Sequence, residues 1–394
     1  MKNDLLLTFN TGSSTVKIGI FALDGASAHR IGKGVIDFRR QPLTFHLTEG
    51  PSTFDIALAA TDGEDLRKVL SETFGHLSDH FDFSTVVAAG HRVVHGGDVF
   101  DGPVRIDDDT IAAMNRLTPL APLHQPQALR LIRALSALHP DIKQTASFDT
   151  AFHSSVSDMV RRFALPRALH DQGIKRYGFH GLSYKFLAAE LSRRAPEIAR
   201  GKVVVAHLGS GASLCGLHGG LSRDTSMGFS TLDGIPMATR CGALDPGVIV
   251  HLLQQRKESP DAIEDLLYHR AGLLGVSGIS ADTRDLAESN APEAREALQL
   301  FAFRIAGEVA RIANTLGGLD ALVFTAGVGE HQPYVREDIA RNLAWLGVEL
   351  EAQANGANAE RISSKQSRVA AFVIPTDEEQ VIAEEALSLL QDRS

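Results

Sequence analysis

Residues 5–21 read LLLTFNTGSSTVKIGIF, and this stretch decides the class of fold. Leu5–Phe9 is apolar and predicts a buried strand, Asn10–Ser14 is a turn of small polar residues, and Val16–Phe21 predicts a second strand. Two strands joined by a short turn that contains glycine form a β-hairpin. We therefore expect the first domain to begin with an antiparallel pair of strands.

A unit of the same kind recurs about half a chain later. Residues 203–207 read VVVAH, residues 208–213 read LGSGAS and residues 214–217 read LCGL. A buried strand again leads through a small-residue turn into a second strand. Recurrence of one supersecondary unit predicts an internal duplication.

Helical periodicity lies between the strands and completes an α/β pattern. The predicted helices are Gln125–Leu138, Tyr184–Ala195 with Ser183 as its cap, Pro292–Leu316, Tyr334–Leu346 and Glu378–Leu390. Thr376 is the predicted N-cap of the last helix, with Glu379 as its capping-box partner. Residues 325–330 are predicted to be a turn, and residues 351–367 a surface connection.

The duplication predicts two lobes, with the final helix rejoining the first lobe. A chain of 394 residues is too long for one ordinary core, which favours the same division. The predicted boundaries are residues 1–150 plus 378–394 for the first lobe, residues 151–377 for the second lobe, and hinges near residues 149–155 and 374–378.

Composition argues against several classes of function. Apolar residues make up 44% of the chain and charged residues 22%, which is typical of a globular protein. The net charge of −9 argues against nucleic acid as a partner, and no apolar run approaches the ~18 residues of a membrane-spanning helix. The N-terminus does not read as a signal peptide, and two cysteines cannot build a disulfide framework, so we expect a cytoplasmic location.

Three turns are candidates for nucleotide binding. Residues 10–17 combine a glycine, clustered hydroxyls and Lys17, which suits phosphate oxygens, although a plain polar hairpin turn fits them equally well. Gly209-Ser210-Gly211 and Gly327-Val328-Gly329 each follow an apolar strand, where a backbone turn can hold phosphates or adenosine. Neither completes a Walker P-loop or a dinucleotide fingerprint, and their glycines can serve turn geometry alone.

Five polar residues stand among apolar or small neighbours at strand ends and at Gly or Pro turns. They are Arg92, His124, Asp149, His180 and Arg240. One such residue alone is more often a satisfied buried group, but five in these positions predict a functional site. The spacing of the histidines matches no zinc motif.

Many ordered segments of the chain resemble the acetate and butyrate kinase family, from Leu5 to about Leu390. The segments are residues 10–14 (NTGSS), 90–97 (GHRVVHGG), 119–124 (PLAPLH), 148–153 (FDTAFH), 177–181 (YGFHG), 207–213 (HLGSGAS), 224–229 (DTSMGF), 239–242 (TRCG), 277–280 (SGIS) and 375–379 (PTDEE). The resemblance implies the duplicated two-lobe actin-like ATPase fold, with a ribonuclease H-like mixed sheet in each lobe and an ATP cleft between the lobes. It also implies reversible phosphoryl transfer from ATP to acetate, dependence on Mg²⁺, and a homodimer whose interface lies on the second lobe.

The resemblance also implies roles for the matching residues. Arg92 and Arg240 would hold the carboxylate and the moving phosphoryl group, and Asp149 would position the attacking oxygen. His180 would stabilise charge in the transition state, with His124 assisting. The remaining roles would fall to Val94, Leu123 and Phe179 in the acyl slot, Asn10 and Glu378 at the metal, and Ser13, Lys17, His207, Leu208, Gly209, Ser210, Gly211, Asp282, Thr283, Arg284, Ala326, Gly327, Val328, Gly329 and Glu330 around the nucleotide. Positive clamps suit a reaction that brings a carboxylate anion to an anionic phosphate.

Five residues depart from the family's usual pattern. Ser210 replaces an asparagine in the phosphate turn, which leaves the affinity for the nucleotide open. Thr231 replaces a proline of the acyl pocket, which leaves propionate open as the acid. Gln125, Ala243 and Asp377 are the other departures. Mg²⁺ and Mn²⁺ are alternatives as the metal, because both accept oxygen ligands.

Two other functions are alternatives to a kinase. A nucleotide-gated chaperone-like or actin-like protein would keep the ATP turns but would need neither Arg92 nor Arg240, and it would carry an appendage for which this chain has no room. An inactive regulatory homologue would lack Asp149 or the arginines. All three residues are present, so an active kinase is favoured. Its mechanism requires the two arginines to meet beside Asp149.

Overall fold

The computed structural model divides the chain into two compact units. The first comprises Met1–Phe152 and Asp377–Ser394, and the second comprises His153–Thr376. The structure describes residues 4–12, 15–38, 42–60 and 66–391. The predicted nucleotide residue Ser13 lies outside the described residues.

An eight-stranded mixed sheet forms the centre of the first unit. Its strands are β1 (Leu5–Thr11), β2 (Thr15–Asp24), β3 (Ser27–Asp37), β4 (Thr44–Glu49), β5 (Ser52–Ala57), β6 (Val86–Val93), β7 (Val104–Arg105) and β8 (Lys143–Phe148). Their order in the sheet is β5-β4-β3-β2-β1-β6-β8-β7. β1 to β5 form an antiparallel meander, β6 runs parallel to β1, and β8 runs parallel to β6.

A five-stranded mixed sheet forms the centre of the second unit. Its strands are β9 (Lys202–Leu208), β10 (Ala212–His218), β11 (Leu221–Thr225), β12 (Ala321–Thr325) and β13 (Ala370–Val373), in the order β11-β10-β9-β12-β13. Three antiparallel strands are followed by two parallel ones, as in β3-β2-β1-β6-β8 of the first sheet. The predicted duplicated α/β fold is therefore confirmed.

Helices surround both sheets. They are α1 (Leu66–Ser78), α2 (Asp108–Arg116), α3 (Gln125–Leu138), α4 (Asp158–Arg161), α5 (Arg167–Asp171), α6 (Gly181–Arg194), α7 (Pro196–Ala199), α8 (Pro246–Gln254), α9 (Pro260–His269), α10 (Gly272–Ser277), α11 (Thr283–Glu288), α12 (Pro292–Leu316), α13 (Ala326–His331), α14 (Pro333–Asn342), α15 (Ala352–Gly356) and α16 (Glu378–Gln391). None of the helices in the described part of the chain has the length and apolar character that crossing a membrane would require.

The apolar run of β1 is buried on both faces. Leu7 and Phe9 join a core cluster with residues of α1 and α3, whereas Leu6 joins Ala383 of α16 in a second cluster. Alternate strand side chains point to opposite faces, so a continuous apolar run is what a strand covered on both sides needs. A Cβ on Gly90 of β6 would lie 2.6 Å from Ile382 Cγ2, so glycine allows α16 to approach the sheet closely.

The second sheet is covered by α12 in a similar way. Phe301, Ile305 and Ile312 lie on its buried face, as the 3.6-residue periodicity predicts. A Cβ on Gly216 of β10 would lie 2.4 Å from Ile312 Cγ2. A glycine in the sheet therefore sets the close approach of a helix in each unit.

Two predictions about helix starts were wrong. Residues 326–331 form α13 rather than a turn, because the Glu330 carboxylate accepts the Ala326 N–H at 2.8 Å and satisfies the first turn of the helix. α6 begins at Gly181 rather than Tyr184, and its N-cap is His180, whose backbone is left-handed at φ 56°. The Ser183 hydroxyl makes no cap; it bonds to His207 instead.

Three further local predictions were wrong. Residues 351–367 are not a plain surface connection, because they contain α15, the buried Asn355 and the buried Ile362. The helix predicted over residues 334–346 ends at Asn342 and is followed by a 3₁₀ turn. Thr376 and Glu379 form no capping box: the Asp377 carboxylate accepts the Gln380 N–H at 3.0 Å, which leaves Glu379 to bond elsewhere.

Candidate active site

A buried ion pair lies at the carboxyl edge of the first sheet. Arg92 is the penultimate residue of β6, and Asp149 directly follows the parallel neighbour β8, so the two side chains reach the same edge. Arg92 Nε donates to Asp149 Oδ1 at 2.9 Å, and Nη2 donates to Oδ2 at 2.5 Å. This is the bidentate geometry in which a guanidinium binds a carboxylate most strongly. The predicted association of Arg92 with Asp149 is present in the first unit.

Asn10 connects this ion pair to the start of α16. Its Oδ1 accepts from Arg92 Nη1 at 3.1 Å, and its Nδ2 donates to Glu378 Oε2 at 2.7 Å and to Glu379 Oε1 at 2.8 Å. β1 carries Asn10 to the same edge because β1 runs parallel to β6. One amide group therefore links a cationic side chain on one side to two anionic side chains on the other.

The charges around Arg92 keep it ionised. Burial acts to lower its pKa, but the negative charges of Asp149, Glu378 and Glu379, together with the hydrogen bond to Asp149, raise the pKa above its ordinary value. Arg92 also donates through Nη1 to the Thr11 carbonyl at 3.3 Å. Among the described residues, four of its five N–H groups have an acceptor, and one N–H on Nη2 has none.

The donor atoms at this edge suit a hard divalent cation. Asp149, Glu378 and Glu379 offer carboxylate oxygens, which Mg²⁺ prefers. Within the described part of the chain, no group of three or more His, Cys, Asp or Glu side chains is arranged as a ready-made metal cage. Mg²⁺ keeps several waters and is bound through one or two carboxylates plus substrate phosphates, so the donor set fits that mode.

Other predicted residues of the first unit lie near these strand ends. Val94 directly follows β6 and is buried, and Leu123 and His124 directly precede α3 and are half-buried. Lys17 is exposed on β2 opposite Asn10. Gln125, which departs from the family pattern, is buried, and its amide donates to the His95 and Met114 carbonyls at 3.1 and 3.2 Å.

The turn between β9 and β10 forms a second polar site, within the second unit. His207 is the penultimate residue of β9 and lies just before this turn. Its ring stacks on that of His180, with the ring centroids 4.3 Å apart. His180 Nδ1 bonds to Ser213 Oγ at 2.8 Å, and the Tyr184 hydroxyl bonds to the same oxygen at 2.5 Å. His180 and His207 therefore lie side by side at the turn that leads into β10, within the second unit.

Arg240 reaches the same turn. A Cβ on Gly211 would lie 3.6 Å from Arg240 Nη1 and 3.6 Å from His180 Nε2, so the glycine lies close to both nitrogen atoms. Arg240 Nη1 also donates to the Thr231 carbonyl at 3.3 Å. The Ser210 carbonyl accepts the Ala238 N–H at 3.3 Å. This hydrogen bond connects the segment that carries Arg240 to the turn.

The residues predicted around adenosine form hydrogen bonds with neighbouring residues of the second unit. The Asp282 carboxylate caps α11 by accepting the Arg284 N–H at 2.8 Å, and it also pairs with the Arg284 guanidinium. The Thr283 carbonyl accepts from the Tyr334 hydroxyl at 2.6 Å. Glu330 is turned onto Ala326 of its own helix, so it braces α13. Phe179 is buried, and its carbonyl accepts from His153 Nε2 at 3.0 Å.

The model of the acetokinase family matches residues 5–384 of this chain. Acetate kinase from Rhodopseudomonas palustris (strain TIE-1) is 46% identical over 389 residues, which cover 97% of this chain and 97% of that protein. The chain belongs to the acetokinase family. Acetate kinase from Rickettsia prowazekii is 39% identical over 389 residues, covering 98% of this chain and all (100%) of that one.

Solved structures of this family agree with the fold described above. Propionate kinase from Francisella tularensis has a TM-score of 0.91 at 32% identity and covers 98% of this chain and 99% of its own. Acetate kinase from Porphyromonas gingivalis has a TM-score of 0.88 at 30% identity, with 98% and 100% coverage. The predicted family, the two-lobe actin-like ATPase fold and the prediction of an acetate kinase enzyme are confirmed. Acetokinases use ATP or ADP with a divalent metal ion.

Sequence reasoning missed several residues that form hydrogen bonds with the predicted site residues or with their partners. Glu379 was expected only as a helix cap, yet it bonds to Asn10. Ser183 was also expected as a cap, and Ser213 and Tyr184 were given no role, yet all three contact the site histidines or their partners. Local signals could have identified two of these residues. Glu379 is adjacent to Glu378, and Ser183 lies one helical turn after His180.

Proposed function

We propose that the protein transfers the γ-phosphoryl group of ATP reversibly to acetate and forms acetyl phosphate and ADP. A carboxylate oxygen of acetate attacks Pγ; the new O–Pγ bond forms as the bond from Pγ to the bridging oxygen breaks, and the electron pair stays on ADP. The observation that carries the proposal is the buried Arg92–Asp149 pair linked through Asn10 to Glu378, in a chain matched to the acetokinases over residues 5–384.

The first unit is proposed to serve the acid and the metal. A carboxylate is already a nucleophile, so positioning and charge stabilisation matter more than a strong base. Asp149 orients Arg92, whose remaining Nη2 N–H donates to an anionic oxygen. Glu378, oriented by Asn10, is proposed to hold Mg²⁺ together with the ATP phosphates, and the bound cation supplies positive charge to the phosphates. Mn²⁺ would fit the same oxygen donors.

The second unit is proposed to serve ATP. The Gly209–Gly211 turn approaches the phosphates, and His180 and Arg240 donate to the transferred group from the two sides of Gly211. α11 and α13 are proposed to enclose the adenosine, with Asp282 and Glu330 as braces of these helices. Val94 and Leu123, which belong to the first unit, are proposed to contact the methyl group of the acid.

Propionate is the second candidate acid. Propionate kinase from F. tularensis is a similar solved structure, and Thr231 departs from the acyl-pocket proline. One methylene changes binding by only ~1–3 kcal/mol, so a modest change in the pocket decides between the two acids.

We also propose that the protein is a homodimer through α8. This helix reads PGVIVHLLQ and has no buried residue, and the large apolar side chains of Val248, Val250 and Leu253 are exposed on it. An exposed apolar surface of this kind is typical of a protein interface. Light scattering is expected to give a dimer for the wild type and a monomer for Val248→Asp/Leu253→Asp; a monomeric wild type would contradict the proposal.

A cytoplasmic location is proposed from the thiols. Cys215 and Cys241 are both free, and burial raises the pKa of Cys215 to about 12, which keeps it protonated and unreactive. Free cysteines persist in a reducing compartment. Fractionation of cells that produce the protein is expected to recover it in the cytoplasmic fraction, and recovery in a secreted fraction would contradict this location.

One assay tests the proposed function. The acyl phosphate is trapped with hydroxylamine in the presence of ATP and Mg²⁺, and kcat/KM is measured for formate, acetate, propionate and butyrate. The highest kcat/KM is expected for acetate. A maximum at propionate would favour the second candidate, and failure to form any acyl hydroxamate would refute the kinase function.

A further inference from the structure

A chain of hydrogen bonds runs from the end of the second unit to a ring nitrogen of His207. Thr376, the last residue of this unit, bonds through its Oγ1 to Ser183 Oγ at 2.9 Å. Ser183 Oγ bonds in turn to His207 Nδ1 at 2.8 Å. Ser183 is fully buried, so solvent does not compete for these bonds.

The direction of the chain follows from counting protons. If His207 donated from Nδ1 and Ser183 donated to Thr376, the Thr376 hydroxyl, which is half-buried, would have no acceptor among the hydrogen bonds of the described residues and would have to donate to solvent. If His207 and Thr376 both donated to Ser183, the buried Ser183 proton would have none, at a cost of about 1–3 kcal/mol. The direction from Thr376 through Ser183 to His207 is the one that uses both hydroxyl protons in hydrogen bonds between described residues.

The other ring nitrogen of His207 faces the phosphate turn. A Cβ on Gly209 would lie 3.7 Å from His207 Nε2, so this nitrogen borders the backbone of the turn. The stacking of His207 on His180, with an interplanar angle of 17°, holds the plane of the ring. In a neutral imidazole whose Nδ1 accepts, Nε2 carries the proton.

We propose that Thr376 and Ser183 are positioning residues that hold neutral His207 in the tautomer with its proton on Nε2, where it donates to a phosphate oxygen of ATP. The proposal rests on the proposed function, because it assigns the bound anion to ATP. The opposite tautomer would present a lone pair to that anion and repel it. Tautomer control of a ring nitrogen by the hydrogen bond at the other nitrogen is a general property of histidine.

The first test is spectroscopic and does not depend on activity. Protein labelled with ¹⁵N-histidine is studied by NMR at neutral pH, and the His207 signals are assigned with His207→Gln. We expect an unprotonated Nδ1 and a protonated Nε2 in the wild type. We expect a mixture of tautomers in Ser183→Ala. A wild-type ring protonated on Nδ1, or on both nitrogens, would overturn the proposal, as would an unchanged tautomer in Ser183→Ala.

The second test is kinetic. Ser183→Ala is expected to raise KM for ATP about tenfold, the effect of one lost hydrogen bond, with little change in KM for acetate. Thr376→Val is expected to shift the tautomer and KM for ATP in the same direction but less, and Thr376→Ser to restore both. An effect of Ser183→Ala on both KM values alike, or no recovery in Thr376→Ser, would leave only a structural role and would overturn the proposal.

The controls separate this proposal from general damage to the protein. Ser192→Ala removes another hydroxyl from α6, one that donates to the Ala188 carbonyl, and is expected to change neither the tautomer nor KM. If Ser183→Ala does not fold, Thr376→Val carries the same test from a less buried position. An inactive wild type with the expected tautomer would refute the proposed function while leaving the tautomer assignment in place.

Discussion

The two units hold their polar sites together in different ways. In the first unit, the groups carry full charges: Arg92 pairs with Asp149, and Asn10 connects it to two further carboxylates, Glu378 and Glu379. In the second unit, hydroxyls form hydrogen bonds with two stacked imidazoles beside one arginine. One fold, used twice, thus carries a site of paired full charges in the first unit and a site of hydrogen-bonded hydroxyls and imidazoles in the second, which supports the proposal that the first serves the metal and the acid and the second serves ATP.

The same difference predicts how each site fails. Removing one partner of a buried ion pair leaves an uncompensated charge, which typically costs about 3–5 kcal/mol of stability. Removing one hydroxyl from a hydrogen-bonded network costs about 1–3 kcal/mol. Changes in the first unit should therefore affect both folding and activity, while comparable changes in the second should affect mainly activity.

The largest effect is expected from the two arginines. Arg92→Ala and Arg240→Ala should each lower kcat by roughly a hundredfold or more, in the range of lost transition-state donors. Arg92→Ala should also lower the melting temperature more than Arg240→Ala, because Asp149 is left charged and buried. The measurements are hydroxamate formation and thermal unfolding. Arg193→Ala, which removes an exposed arginine of α6, is the control, and near-native turnover in either active-site variant would contradict its assigned role.

The second effect is on stability at low pH. Burial lowers the pKa values of His91 and His95 in the first unit, and of His153 in the second, to about 4. Between about pH 6.5 and pH 4, these histidines are therefore protonated in the unfolded chain but not in the folded chain. The free energy of unfolding should fall as the pH is lowered across this window. The expected loss is up to about 3 kcal/mol per histidine.

Urea unfolding at pH 7 and pH 4.5 measures this loss. His91→Gln should show a smaller decrease than the wild type, because one buried histidine no longer has to take up a proton. His29→Gln removes an exposed histidine and should match the wild type. Equal decreases in His91→Gln and in the wild type would contradict the assignment of His91 as a neutral buried residue.

The third effect concerns the metal. Glu378→Gln should raise the Mg²⁺ concentration needed for half-maximal activity about tenfold, because a carboxylate ligand of a hard cation is lost. Glu384→Gln on the same helix removes an exposed carboxylate and should leave this concentration unchanged. The measurement is a Mg²⁺ titration at fixed ATP. An identical titration curve for Glu378→Gln and the wild type would remove Glu378 from the metal site.

The smallest effect is expected at Thr231. Its carbonyl accepts from Arg240, and proline retains a carbonyl, so Thr231→Pro should keep this contact. Burial raises the pKa of Tyr268, whereas a hydrogen bond from Thr231 and the charge of Arg240 oppose this shift. The threonine side chain therefore has polar neighbours. Thr231→Pro should change the ratio of kcat/KM for acetate over propionate by less than about tenfold. A hundredfold loss with both acids would show that the contact to Arg240 is broken.

Local patterns predicted the elements that depend on local interactions. The hairpin of β1 and β2 and the full length of α12 follow from apolar periodicity and from Pro and Gly at the helix ends. The start of α13 was missed because Gly-rich residues read as a turn, although Glu330, four residues after Ala326, caps it.

Distant partners explain what the sequence alone could not reveal at the site. Ser183 occupies a good capping position, but its hydroxyl bonds to His207 and to Thr376, which lie 24 and 193 residues away in the chain. No periodicity carries information on such partners. The pairing of Arg92 with Asp149, 57 residues apart, was predicted only through the family resemblance.

The central claim is that Arg92 and Arg240 act as one unit in the phosphoryl-transfer step, so that neither is effective without the other. A double-mutant cycle of kcat with Arg92→Ala, Arg240→Ala and the double variant tests it most directly. If both guanidinium groups act on one transition state, the double variant should be little worse than the weaker single variant, roughly a hundredfold below the wild type. A loss equal to the product of the two single losses, about ten-thousandfold, would contradict the claim.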